Sequence, residues 1–89
     1  MTKFTVELWV NNKFGVLNRI TGLYCKRCYN IETINAGPTD VPGLTRITIV
    51  STGDDYMKTQ VVAQLEKLYD VRRVEITSEE PMPEKQAAV

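Results

Sequence analysis

The stretch FTVELWVNNKFGVLNRITGLY, residues 4–24, decides the fold, because the spacing of its apolar residues changes once, at a single turn. Phe4, Val6, Leu8 and Val10 alternate with Thr5, Glu7 and Trp9, the two-residue period of a strand with one buried face. Asn11, Asn12, Lys13 and Phe14 break the alternation and Gly15 follows, so the chain turns here, with Asn12 expected to cap what comes next. From Gly15 to Arg27 the apolar residues fall at Val16, Ile20 and Leu23, flanked by Leu17, Tyr24 and Cys28. That spacing predicts an amphipathic helix of about three turns. Lys26 and Arg27 suit the negative end of its dipole.

Tyr29 to Ala36 is rich in strand formers, among them Ile31, Thr33 and Ile34. Gly37 to Gly43 reads as a loop by composition, and Leu44 to Val50 resumes strand character, so the two strands form a hairpin. Ser51, Thr52 and Gly53 are expected to end the strand, with Asp54 or Asp55 capping a second helix whose face carries Met57, Val61, Leu65 and Leu68. Val71 to Thr77 is the last strand. The order β-α-β-β-α-β is a split βαβ pattern. It predicts an α+β, ferredoxin-like domain over residues 1–77, a four-stranded antiparallel sheet with both helices on one face. Residues 78–89, with Pro81, Pro83 and four charges, are expected to form a disordered tail.

Composition narrows the function. A chain of 89 residues has room for one domain, and one this short buries only about 60–65% of its unfolded surface, which favours self-association. Eleven basic residues balance eleven acidic ones, so the field that collects nucleic-acid phosphates is missing. No signal-peptide core and no apolar run near the ~20 residues of a membrane span is present, so a cytoplasmic protein is expected. There is no histidine. Cys25 and Cys28 both fall late in the first helix, with no further pair to complete four metal ligands, so a packing role is expected for both ahead of redox or metal chemistry.

Catalysis is poorly served. Glu7, Glu32, Asp40 and Asp54 are scattered over strands and turns, where solvation is the expected role of each. Trp9 and Arg46 point to the outward sheet face, as in RNA-binding sheets, but the third strand lacks the aromatic pair that base stacking needs. That face reads as a protein contact surface on which Trp9 finds a partner. The turn from Asn11 to Gly15 is the strongest feature. A helix start offers unpaired N–H groups and a positive dipole end to a carboxylate, glycine allows close approach, and Asn12 can bond an ammonium or a carboxylate. Val16 and Leu17 add an apolar wall, the combination a small aliphatic amino acid needs. An ordinary helix cap makes the same demands, and by composition alone it is the commoner outcome.

The segment from Asn12 to Ile20 resembles the first loop and helix of ACT domains, the amino-acid-sensing modules of metabolic enzymes. Cys28 to Ile34, Pro38-Thr39-Asp40, Pro42 to Val50 and Leu65 to Val71 are similar, more narrowly, to the small regulatory subunits of acetohydroxyacid synthase (acetolactate synthase), in their short single-domain form. The resemblance implies a non-catalytic homodimer that binds the catalytic large subunit, activates it and confers feedback inhibition by a branched-chain amino acid, valine first. It implies an effector between protomers, with Asn12, Gly15, Val16 and Leu17 of one copy facing Asn30 and Ile31 of the other. Phe14 stands where relatives carry a small or polar residue and is expected to narrow the pocket. Thiamine diphosphate, magnesium and FAD would belong to the catalytic partner, with no cofactor and no metal in this chain. The rival readings are a freestanding ACT sensor of another enzyme or of a transcription factor, and a small acyl-phosphate hydrolase. The latter wants an arginine in the anion loop, and Asn11 to Gly15 has none.

Overall fold

A computed structural model describes residues 2–13, 15–27 and 29–81. Its elements are β1 (Thr2–Asn11), α1 (Val16–Lys26), β2 (Asn30–Pro38), β3 (Leu44–Gly53), α2 (Asp55–Glu66) and β4 (Val71–Pro81). The strands form one antiparallel sheet in the order β2-β3-β1-β4. The α+β, ferredoxin-like arrangement read from the sequence is the one found.

The alternation in β1 explains why the sheet is one-sided. Phe4, Val6, Leu8 and Val10 are all buried, and register sets Val6 beside Ile49 and Leu8 beside Ile47. Direct partners across a ladder share a face, so one apolar surface forms. Val16, Ile20 and Tyr24 of α1 close on it with Val61 and Leu65 of α2. Each such side chain contributes about 1.5–3 kcal/mol on leaving water.

The helix stripe runs through Tyr24 where Leu23 was expected. Val16, Ile20 and Tyr24 recur every four residues, leaving Leu23 only partly buried. Tyr24 packs edge-on against Tyr29, ring centroids 5.9 Å apart. Burial pushes its hydroxyl up to about 12, the nearby Ser51 side chain tempering the rise and Tyr29 adding to it. The Tyr24 and Ser51 hydroxyls lie outside hydrogen-bonding geometry, so among the described residues both are buried without a partner. Cys25 is a free thiol on the exposed side of α1, because it follows Tyr24 by one residue and so turns about 100° away from the stripe. Packing is therefore not its role. Cys28 and Phe14 lie outside the described residues.

The strands run past the ends their composition suggests: β1 spans Thr2–Asn11, and β2 takes in Gly37 and Pro38, which were expected in the loop. Ser51, Thr52 and Gly53 continue β3 instead of ending it, because that strand is paired on both sides: Ser51 lies opposite Phe4 and Ile31. Ser78 to Pro81 likewise continue β4 opposite Thr5 to Thr2, and Glu79 is ion-paired to Lys58 of α2. The expected tail thus begins later than Ser78, and its residues 82–89 lie outside the described ones.

The outward face carries charges of both signs. Arg46 Nε is 3.5 Å from Glu7, and Arg73 pairs with Glu75. Within the chain, the Arg73 guanidinium lies over the Trp9 ring at 5.0 Å from its centroid, a favourable cation–π distance.

Candidate functional site

The two helices begin differently. Asp54 caps α2, its Oδ1 accepting from the Met57 amide at 2.8 Å. Gly15 precedes α1 in the left-handed region, φ 85°, and among the described residues no side chain caps this helix. The cap expected from Asn12 is thus not made. L-residues avoid that backbone region by about 1–2 kcal/mol, so glycine is what lets the chain enter the helix along this path. The Val16 amide instead donates to the Lys13 carbonyl at 3.3 Å.

Beside that start lies a cavity of about 150 Å³. Its floor is core: Val10, Val16 and Ile47. Asn11, Asn12 and Lys13 form a polar rim, and Leu17, 44% exposed, stands at the mouth. Ala36 of β2 and Thr45 of β3 complete the wall. Drug-sized ligands occupy about 300–1,000 Å³, so this space suits a molecule of a few heavy atoms. Two larger grooves, about 340 Å³ between the helices and about 330 Å³ beside β4, lie away from the turn. What singles out the smaller cavity is an apolar floor joined to a polar loop at a helix start.

The rim is fastened at three points. The Asn12 amide donates to the Gly43 carbonyl at 2.8 Å, tying the loop to the hairpin, and the Asn11 amide donates to the Asp70 carbonyl at 2.8 Å. The third is the Asp70 side chain, only 6% exposed, which accepts from Arg19 Nη1 at 2.9 Å and from Asn11 Nδ2 at 3.4 Å, with Lys13 Nζ at 3.6 Å. Burial pushes the Asp70 carboxyl up, but the Asn11 hydrogen bond and the Lys13 and Arg19 charges outweigh it and hold the group below its ordinary value. Sequence reasoning missed Asp70. An aspartate after Leu68 and Tyr69 looks like any turn residue, and only its apolar surroundings hint at burial.

Of the residues expected at the site, Asn12, Val16 and Leu17 line the cavity, and Gly15 sets the backbone beside it. Asn30 and Ile31 lie at the far end of β2 from Ala36, roughly 20 Å along the strand. Asn30 Nδ2 donates to Thr52 Oγ1 at 2.7 Å, and Ile31 packs against the core. One chain therefore does not bring the two groups together. Among the described residues no three His, Cys, Asp or Glu side chains converge as metal ligands, and no helix is long and apolar enough to cross a membrane.

The fold and the pocket define an ACT-type domain. The structure superposes on the ACT domain of a GTP pyrophosphokinase from Chlorobium tepidum with a TM-score of 0.71 at 25% identity, covering 84% of this chain and 96% of that one. More narrowly, the chain belongs to the AHAS small subunit-like ACT domain family, AHAS being acetohydroxyacid synthase, which it matches over residues 6–73. It is 46% identical over 69 residues to a probable acetolactate synthase small subunit from Methanothermobacter thermautotrophicus, covering 78% of this chain and 41% of that protein. The acetolactate synthase isozyme 3 small subunit of Escherichia coli is also 46% identical over 69 residues, with 78% and 42% covered. The crystal structure of the acetolactate synthase small subunit from Thermotoga maritima superposes with a TM-score of 0.81 at 35% identity, covering 92% of this chain and 50% of that one. The chain thus spans half or less of the length of these small subunits.

Proposed function

We propose that this chain is a non-catalytic regulatory subunit of acetohydroxyacid synthase, which binds the catalytic large subunit, raises its activity and makes it sensitive to a branched-chain amino acid, L-valine first. The observation that carries the reading is the small cavity at the start of α1, with its apolar floor and amide-bearing rim. A carboxylate is favoured at a helix start, the Asn12 amide group can serve the ammonium, and the floor takes the branched side chain. Burying a valine side chain is worth about 1.5–3 kcal/mol, and coupling between sites is typically about 1–3 kcal/mol. The two magnitudes match what a feedback device requires. Thiamine diphosphate, magnesium and FAD sit in the catalytic partner under this reading, and this chain carries no cofactor.

Homodimer formation completes the site. β2 is an outer strand of nine residues with most side chains exposed and Glu32 as its one charge. Long, weakly charged edges invite strand pairing. A second β2 laid antiparallel about a two-fold near Thr33 carries that copy's Asn30 and Ile31 to this copy's Ala36, beside Asn12, Gly15, Val16 and Leu17. Ile34→Asp, which puts a charge at that seam, should weaken dimerisation at least about tenfold, a penalty of 1.4 kcal/mol, by analytical ultracentrifugation.

The deciding experiment is reconstitution with a catalytic large subunit. Activity should rise on adding this chain and fall again with L-valine, and Asn30→His should blunt the inhibition. If the chain leaves activity unchanged and instead captures another enzyme or a transcription factor, the freestanding-sensor reading replaces this one.

A further inference from the structure

Asp70 is the charged residue that is buried among the described ones, with 4% of its surface exposed. It closes the turn between α2 and β4, 59 positions from Asn11 and 51 from Arg19. Each of its side-chain partners belongs to the pocket loop or to α1: Asn11 and Lys13 on the rim, Arg19 one turn into the helix. Its carbonyl holds the Asn11 amide, and the neighbouring Tyr69 ring lies under the Lys13 ammonium at 5.7 Å. Asp70 itself does not line the cavity.

An exposed ion pair contributes little, and Lys13 and Arg19 are each more than half exposed. The carboxylate is different, because a buried charge cannot exchange its partners for water. It therefore fixes whatever reaches it, and what reaches it is the rim of the cavity. We infer that Asp70 is a positioning residue for the effector pocket: its charge holds Asn11, Lys13 and the first turns of α1 in the shape that accepts the amino acid, without touching it. This rests on the effector role proposed above for the cavity.

The test compares the wild-type 89-residue chain with Asp70→Asn, which keeps the shape and removes the charge. Ile49→Val, in the buried core, serves as a variant that lowers stability alone. Amide hydrogen exchange at Asn11, Asn12 and Lys13 is followed against Ile47 and Ile49, and L-valine affinity is measured by calorimetry. In Asp70→Asn the loop amides should exchange at least about tenfold faster relative to the β3 amides, and the Kd for L-valine should rise about tenfold, the effect of losing roughly 1.4 kcal/mol. Ile49→Val should lower the thermal midpoint and change neither ratio. Relative loop exchange left as in wild type overturns the inference, and so does an unchanged Kd. If wild type itself binds no L-valine, the effector reading fails, and the exchange ratio still decides whether Asp70 orders the loop. Should Asp70→Asn not fold, Arg19→Gln removes an exposed partner and should show the same two changes at about threefold, with no change counting against the proposal.

Discussion

The starts of α1 and α2 pose one physical problem and solve it in opposite ways. Both leave backbone amides without partners inside the helix. At α2, Asp54 supplies an oxygen from the chain itself, which accepts from the Met57 amide. At α1, Gly15 enters with φ 85° and among the described residues no side chain caps the turn, while the residues around it open on a cavity with a buried floor. A helix start closed by its own side chain is a structural part. The start left uncapped beside a small apolar cavity is the effector site proposed above, which would receive its carboxylate from outside.

Closing the open start should have the largest effect. Gly15→Asp meets no neighbouring atom at its Cβ, so its cost to folding is the backbone strain of about 1–2 kcal/mol. The added carboxylate faces the incoming one, and like charges brought together cost several kcal/mol. L-valine affinity should fall at least about 100-fold by calorimetry while the circular dichroism spectrum stays native. Opening the closed start should do the reverse. Asp54→Ala should lose about 1 kcal/mol of stability in urea and leave L-valine affinity unchanged.

Asp70 supplies a pH signature on the α1 side. Its folded pKa lies below the ordinary value, so it stabilises the fold above about pH 4, where the unfolded carboxyl is ionised. That contribution is lost as pH falls through the folded value. The stability gap between wild type and Asp70→Asn should therefore be constant near neutrality and shrink below about pH 4. The smallest change is expected at Tyr24→Phe, which removes a buried hydroxyl that lacks a partner. Stability should hold or rise by up to about 1 kcal/mol, with L-valine affinity unaffected.

The order of elements was legible because each is announced by a local period: two in Phe4 to Val10, near four in Val16 to Tyr24. What was not legible depends on partners distant in sequence. Ser51 to Gly53 look like a strand end, yet β1 pairs with all three and β2 with Ser51 and Thr52, which keeps them in β3. Ser78 to Pro81 look like a tail until Thr2 to Thr5 pair with them. Cys25 looks apolar enough to bury, but one residue of helical rotation places it outside. At the pocket, Asn12, Gly15, Val16 and Leu17 fall within one stretch of six residues and could be read together. Asp70 could not, because its apolar neighbours hint at burial but nothing local reveals that Asn11, Lys13 and Arg19 will surround it.

The contrast between the two helix starts is tested most directly by titrating L-valine into the isotopically labelled chain and following its amide resonances. The shifts should concentrate at Asn12, Gly15 and Leu17, with Asn30 joining them across the dimer, while Asp54 to Met57 stay still. Perturbations gathered around the α2 start, or none at saturating L-valine, would contradict the assignment of the uncapped end as the effector site.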